Sequence, residues 1–347
     1  MTHFRAILLA AALAASCASP AGGATPTAQF HASRVVEYAP GDGNVAFPNP
    51  DLALGGPMAY PGGSLHVVTL GVQGNLVLGF VPGEAIADAA GDDLIVFENA
   101  FWIYGWAFVE LVRVGVSTNG MDYAFWPTGC GRTTPVGPYE YVDPSDYAGF
   151  AGVNQTFANV GPPPDGNALD PFDPATGGGD AFDLADLADD PLVAAGTVDL
   201  DRIYYVKLID VLGDGTESDS VGNPIYDPAG LMDEEGGFQP VSADVDALSV
   251  IHGLGAPIPG DANRDDIVNL TDLSILAFHW DTAAGATWDD GDFDADGAVA
   301  LADLSALAFH WLETGAARAV VPEPTALTVL AVGAAAATRR RRPIGKR

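Results

Sequence analysis

Two stretches of this chain repeat one another 31 residues apart, and this duplication constrains the fold more than any other feature. Residues 261–272 read DANRDDIVNLTD and residues 292–303 read DFDADGAVALAD. Each stretch leads directly into an apolar octet, LSILAFHW after the first and LSALAFHW after the second. A single acidic turn is common in a chain with 46 Asp and Glu residues, but two copies in register indicate one structural unit used twice.

Each acidic stretch has the ligand spacing of a calcium loop. Ca²⁺ takes six to eight oxygen ligands, and a 12-residue loop supplies them from positions 1, 3, 5, 7, 9 and 12. In the first loop these positions are Asp261, Asn263, Asp265, the carbonyl of Ile267, Asn269 and Asp272. In the second loop the ligands are Asp292, Asp294, Asp296, the carbonyl of Ala298 and Asp303. The sequence therefore predicts that this segment binds two Ca²⁺ ions.

The two loops depart from the ideal pattern in different ways. Asp266 replaces the glycine of position 6, where a left-handed backbone costs a residue with a side chain about 1 kcal/mol. Ala300 at position 9 has no side-chain oxygen, so a water would have to serve there. We expect the first loop to be the more strained and the second to be poorer in ligands.

Only the helix that leaves each loop is predicted. Leu273, Leu276, Ala277 and Trp280 recur at helical spacing, whereas the segment before each loop is too rich in Gly, or in Gly and Pro, to form an entry helix. Residues 261–315 therefore resemble a type I dockerin, a small all-α calcium module. The resemblance implies a cohesin-like protein domain as partner, contacted partly through loop positions 10 and 11. Those positions lack the paired hydroxyls of well-known dockerins.

The charge of the chain excludes one class of partner. The 46 acidic and 14 basic residues give a net charge of −32, whereas nucleic acid is bound by basic surfaces. The hydrophobic content of 48% is too high for a disordered acidic tail, so the acids coat a folded body. Cys130 is the one cysteine beyond the first 24 residues, which excludes a disulfide scaffold.

Residues 1–24 predict a secretory signal peptide. Arg5 supplies the positive charge, the apolar run Ala6–Ala15 follows, and small residues then suit a signal peptidase. A lipoprotein signal at Cys17 is the alternative, although the residues before this cysteine lack the usual large aliphatic side chain. The sequence therefore predicts export across the inner membrane.

Residues 320–347 combine a short motif, an apolar run and a basic end: Pro322, Glu323 and Pro324, then residues 325–338, then Arg339, Arg340, Arg341 and Arg342. As a helix the run spans only about 21 Å of a hydrocarbon core of about 30 Å, which suits transient insertion. The pattern resembles the PEP-CTERM sorting signal. The resemblance implies processing by an exosortase and release to the cell surface or extracellular matrix of a Gram-negative-type bacterium. An ordinary membrane anchor is the alternative, and both place the body outside the cytoplasm.

Residues 25–254 predict an antiparallel β-sandwich, because short apolar segments alternate with turns rich in Gly, Pro, Asn and Asp. Asn119-Gly120 predicts a hairpin, residues 139–200 a loop-rich cover, and residues 255–260 a Pro/Gly linker. The predicted strands are residues 65–70, 75–80, 93–98, 108–117, 123–126, 203–209 and 245–251.

The body also is similar to a recurrent family of secreted bacterial surface proteins, many with the same sorting tail. The motifs that carry this resemblance are LGF at 78–80, DLIVFEN at 93–99, VGVSTNG at 114–120, FDLA at 182–185 and VDAL at 245–248. The resemblance implies a galactose-binding-like jelly roll of mostly unassigned function. The predicted fold class is thus mainly β, with a jelly-roll sandwich followed by the dockerin-like module.

Three sets of side chains in the body are candidates for function. Glu98 and Glu110 lie within strand segments and are interpreted either as paired catalytic carboxylates or as edge charges or calcium ligands. An acidic segment after a predicted strand indicates either a further structural Ca²⁺ or a solvated loop; its acids are Asp210, Asp214, Asp219 and Asp227. Four aromatic residues predict either a glycan-stacking platform or core packing: Trp102, Tyr104, Trp106 and Trp126.

The sequence favours an exported, calcium-binding surface or matrix protein that docks a partner and whose sandwich binds extracellular glycan or plays a structural role. The body contains no HExxH, GxSxG, phosphate-loop or Cys-His arrangement, so no catalytic residue is assigned. The alternative is a polysaccharide-degrading glycoside hydrolase recruited to a complex by the dockerin-like module.

Overall fold

A computed structural model describes residues 26–314, except residues 44, 59–64, 138–139, 161–167, 229, 233–237, 241 and 266. The predicted signal peptide (residues 1–24) and sorting signal (residues 320–347) lie outside the described residues.

The described chain is mainly β. In chain order the first strands are β1 (Ala28–His31), β2 (Arg34–Ala39), β3 (Val68–Thr69), β4 (Asn75–Gly79), β5 (Ala85–Ile86), β6 (Leu94–Glu98), β7 (Phe101–Ile103), β8 (Trp106–Phe108), β9 (Val112–Ser117) and β10 (Ala124–Phe125). They are followed by β11 (Gly129–Cys130), β12 (Tyr147–Ala148), β13 (Phe150–Ala151), β14 (Asp180–Phe182), β15 (Tyr205–Asp210), β16 (Asp214–Ser218), β17 (Pro224–Tyr226), β18 (Gly230–Met232), β19 (Phe238–Pro240) and β20 (Asp244–Leu254). The helices are α1 (Phe157–Val160), α2 (Pro174–Gly177), α3 (Pro191–Ala194), α4 (Leu270–Phe278) and α5 (Leu301–Phe309).

Two antiparallel sheets organise the body. The first has the order β1-β20-β6-β14, with β3 and β5 also paired to β20, and the second has the order β10-β9-β15-β4-β2, with β13 paired to β9. One hydrophobic core contains side chains from both sheets, among them Val96 and Leu248 from the first and Leu78 and Val206 from the second. β6 is apolar along most of its length because a second cluster around Ile95 covers its other face.

Most predicted strands are present with ends shifted by one to four residues, and the predicted hairpin at Asn119-Gly120 joins β9 to β10. Two predictions were incomplete. The segment 108–117 is divided between β8 and β9, and the stretch 139–200 contains β12, β13 and β14. β14 has only three residues, too few to show a periodicity of two, and it is specified by its pairing with β6.

The two acidic repeats pack against each other with matching contacts. The N–H of Val268 donates to the carbonyl of Glu313, while the N–H of Val299, 31 residues later, donates to the carbonyl of Thr282. Gly260 lies against the backbone of α5 at Leu307, and its counterpart Gly291 lies against α4 at Leu276. Each repeat therefore completes the core of the other, which explains why the unit occurs twice.

The exit helices bury a different face from the predicted one. Leu276 is buried as expected, but Ala277 is exposed and Trp280 is 46% exposed. The reason is that α4 ends at Phe278, so Trp280 lies beyond the helix and does not continue its apolar face. Among the described residues, no helix is long and apolar enough to cross a membrane.

The repeats are also packed against the body. Pro257 and Trp288 lie over Gly83, and a shared cluster of apolar residues includes Tyr204 and Leu254 of the body. The segment 255–260 therefore joins two parts of the chain that are in contact.

Candidate metal loops and binding pocket

The acids at positions 1 and 12 of each loop are buried, with exposed fractions of 2% or less at Asp261, Asp272, Asp292 and Asp303. The position-12 carboxylate closes each loop in the same way. Asp272 accepts the N–H of Ala262 at 2.9 Å and that of Asn269 at 2.8 Å. Asp303 likewise accepts the N–H groups of Phe293 and Ala300, both at 2.8 Å.

The remaining side chains of the second loop converge. Asp292, Asp294 and Asp296 each have a carboxylate oxygen within 4.8 Å of the others. Burial raises the pKa of Asp292 to about 7, and the nearby carboxylates of Asp303, Asp294 and Asp296 raise it further against the N–H of Gly297, which lowers it. Three converging carboxylates in a loop with a fixed backbone form a donor set that suits a hard cation such as Ca²⁺.

The first loop resembles the second, with one difference at position 9. The N–H of Asp265 donates to Asp261 at 3.1 Å, as the N–H of Asp296 does to Asp292 at 3.3 Å. The Asn269 side chain, a predicted ligand, instead caps α4 by accepting the N–H of Thr271 at 2.8 Å. Residue 266, where strain was expected, lies outside the described residues.

Sequence reasoning missed position 4 of each loop. Arg264 and Ala295 both have a left-handed backbone, with φ of 54° and 56°. Both also contact the body: Arg264 Nη2 donates to the Tyr204 hydroxyl at 3.0 Å, and the Ala295 carbonyl accepts from Arg34 Nη1 at 3.2 Å. Only the exact repeat offset could have indicated that these two positions are equivalent.

The predicted aromatic platform is divided by the structure. Trp102 and Trp126 line one cavity of about 490 Å³, together with Asn154 and Asp180. An adjoining cavity of about 480 Å³ shares Trp102 and Asn154. Tyr104, fully exposed, and Trp106, 53% exposed, line neither cavity. The β7–β8 hairpin explains the division, because Trp102 pairs with Ala107 and Trp106 with Ile103, on opposite faces.

Asp180 is an acidic residue of the cavity wall whose two oxygens are both occupied. It accepts N–H groups from Gly152, Val153 and Asn154 at 2.9 to 3.2 Å, and the Asn154 side-chain amide at 2.8 Å. Burial nevertheless raises its pKa to about 6. Its main role is to hold the loop 152–154 that carries Asn154 to the cavity.

A second acidic group, which sequence reasoning did not identify, comprises Asp88, Asp93 and Asp183, with oxygens within 4.8 Å of one another. Asp93 is fully buried and accepts the N–H of Leu184 at 2.8 Å and contacts His252 Nδ1 at 2.9 Å. These contacts link β6, the segment after β14, and β20.

The acidic segment after β15 does not form one loop site. Asp214 is exposed and bonds Thr216, while Asp219 accepts the N–H of Cys130 at 3.0 Å and those of Val221 and Asn223. Asp210 and Asp227 are buried, at 2% and 3% exposure, and turn toward the interior of the body.

The fold and site define a mainly β protein that carries a pair of acidic loop–helix repeats. No protein-family model matches the chain, and a search of curated proteins found no match. The candidate sorting residues Pro322, Glu323, Pro324 and Arg339 to Arg342 lie outside the described residues.

Proposed function

We propose that this chain is an exported, calcium-binding surface or matrix protein, in which a jelly-roll β-sandwich binds carbohydrate and a dockerin-like module docks a partner protein. Two antiparallel sheets with a common core support the sandwich. The matching contacts of the two repeats support the module. The terminal sequence patterns support export, exosortase processing and release outside the cell.

The observation that carries the calcium proposal is the equivalent closure of both loops around converging acids. Asp265 and Asp296, at position 5, are exposed, so their replacement by Asn removes a ligand charge without disturbing a core. We expect Asp265→Asn and Asp296→Asn each to weaken binding at one loop at least tenfold. Isothermal titration of the chain with Ca²⁺ measures this, with exposed Asp189→Asn as the matched control. Unchanged titrations in both loop variants would refute the assignment.

The docking proposal is supported by apolar side chains that repeat on the outer surface of the module. Phe278 and Phe309 are 85% and 84% exposed, and Leu270 and Leu301, at loop position 10, are 67% and 69% exposed. A cohesin-like domain is the partner that the dockerin resemblance implies. Phe278→Ala with Phe309→Ala should leave the thermal midpoint unchanged while reducing partner capture.

The cavity with Trp102 and Trp126 supports carbohydrate binding, because an aromatic wall with a few polar groups suits a sugar ring. We expect Trp102→Phe to weaken retention on polysaccharide affinity gels several-fold, with Trp106→Phe on the opposite hairpin face as the control. Equal retention of both variants would contradict the assignment. Equal thermal midpoints establish that the change is not a loss of fold.

Glycoside hydrolysis is the alternative function, and it requires two carboxylates free to act on the bond. The occupied oxygens of Asp180 in the cavity wall favour binding over hydrolysis. Release of reducing sugar from a bound polysaccharide by the chain, and its loss in Asp186→Asn, would favour the enzyme.

A further inference from the structure

Five carboxyl groups of the body gather near one end of the two sheets, away from the loops. Glu98 ends β6 beside the start of β20, and Asp210 ends β15 opposite Val112 at the start of β9. We call the five the acid cluster: Glu98, Glu110, Asp210, Asp227 and Asp244.

Glu110 lies within electrostatic reach of the other four. Burial raises its pKa well above the usual range, and the carboxylates of Glu98, Asp244, Asp210 and Asp227 raise it further. Arg113 of β9, three residues further along the chain, is paired elsewhere, with Glu217 at 3.4 Å and the Ser218 carbonyl at 2.9 Å. The acid cluster thus collects negative charge that this arginine does not neutralise.

Glu98 is fully buried, and one of its two oxygens has no partner. Its Oε1 accepts the N–H of Asp244 at 3.1 Å, whereas its Oε2 has no hydrogen-bond donor among the described residues. A buried ionised oxygen without a donor is costly, so Glu98 must either keep a proton or face a cation.

The neighbouring acids are held in place. Asp210 accepts the N–H groups of Ala243 at 2.8 Å and Gln73 at 2.9 Å, and Asp244 accepts the Thr69 hydroxyl at 2.6 Å. A carboxylate oxygen with one hydrogen bond retains a lone pair for a metal, so these bonds fix the acids without exhausting them.

Gly152 leaves room beside the unpartnered oxygen. Its φ is 85°, and a Cβ at this position would lie 1.9 Å from the Glu110 carbonyl oxygen and 3.4 Å from Glu98 Oε2. The Glu110 carbonyl and Glu98 Oε2 therefore lie around the same point, where a side chain is absent.

We propose that the acid cluster binds a divalent cation of the calcium class, with Glu98 and Glu110 as its central ligands. One proton would neutralise one carboxyl group and leave the other four facing each other. A hard divalent cation accepts carboxylate and carbonyl oxygens together and tolerates irregular geometry, which suits acids contributed by several strands. This site is independent of the two loops and of the proposed docking and glycan functions.

The test counts ions bound by the chain in equilibrium dialysis with radioactive Ca²⁺. We expect Glu98→Gln and Glu110→Gln each to bind one ion fewer than the unchanged chain. Adding Asp296→Asn should then reduce binding at the second loop independently. If the loops fail to bind, the one-ion difference persists, so failure of the loop proposal and failure of this one are distinguishable.

Two controls keep the result specific. Asp88→Asn alters the other acidic group of the body and should leave the ion count unchanged, and near-ultraviolet circular dichroism establishes that each variant is folded. The Glu110 residue is only partly buried, so Glu110→Gln tests the site even where Glu98→Gln fails to fold. An unchanged ion count in folded Glu110→Gln, or loss of the ion in Asp88→Asn instead, overturns the proposal.

Discussion

Buried carboxylates at single positions act as fasteners between strands that are distant in sequence. Asp93 joins Leu184 and His252, and Asp180 gathers three successive backbone N–H groups of residues 152–154. In both cases the carboxylate satisfies donors that would otherwise be buried without a partner, at the cost of its own desolvation. The acidic composition of the chain therefore serves its interior as well as its surface.

Asp93 predicts a pH dependence of stability. Burial raises its pKa to about 6, and the Leu184 N–H and His252 lower it only in part, while the oxygens of Asp88 and Asp183 face it within 4.8 Å. Because the folded state holds this proton to higher pH than the unfolded state, its contribution to stability is present at about pH 4 and is lost as pH rises to about 6.

The expected loss is up to about 3 kcal/mol across this interval, since each pKa unit corresponds to about 1.4 kcal/mol. Urea unfolding between pH 4 and pH 7 measures it, with Asp93→Asn expected to flatten the curve. A curve of unchanged slope in a folded Asp93→Asn chain would show that another group is responsible.

At the scale of elements, the loop–helix repeat is stable as a pair and not as a unit. Val268 and Val299 are fully buried, and each forms backbone hydrogen bonds with the segment that follows the other repeat's helix. The residues of one repeat thus fill the space that the other leaves, which also fixes why a glycine precedes each loop.

We predict that Gly260→Ala and Gly291→Ala each destabilise the chain by about 1–3 kcal/mol. The added Cβ would lie 2.7 Å from Leu307 Cα or 2.9 Å from Leu276 Cα, and both glycines have φ near 100°. Gly255→Ala is the matched control, because its Cβ would lie 3.8 Å from its nearest neighbour, Ala28. Denaturant midpoints measure the effect, and equal midpoints for all three variants would contradict the reciprocal packing.

At the scale of the whole molecule, the repeats are attached to the body by a polar network as well as by apolar packing. Asp289 accepts Arg202 Nε of the body at 3.1 Å and Arg264 Nε of the first loop at 3.2 Å, and Arg264 reaches Tyr204 as well. The first loop is therefore connected to the body through one of its own residues.

We predict that Arg264→Ala accelerates proteolysis within residues 255–260 several-fold, because the loss of these hydrogen bonds costs about 1–2 kcal/mol. Arg132→Ala, which removes an ion pair with Asp146, should leave the rate at this segment unchanged. Fragment ratios after brief digestion measure the effect. An unaltered cleavage rate in Arg264→Ala would mean that apolar packing alone holds the repeats.

The sequence by itself determined what depends on neighbours along the chain: the ligand spacing of both loops, the exit helices, the hairpin at Asn119-Gly120 and most of the strands. Local order decides these because a helix, a turn or a loop is formed by residues a few positions apart. The tertiary structure alone decided which face of the exit helices is buried, which tryptophans share a cavity, and that Glu98 lies beside Glu110 and Asp244. These features depend on contacts between residues far apart in the chain, and the burial of a carboxylate is set by what packs over it.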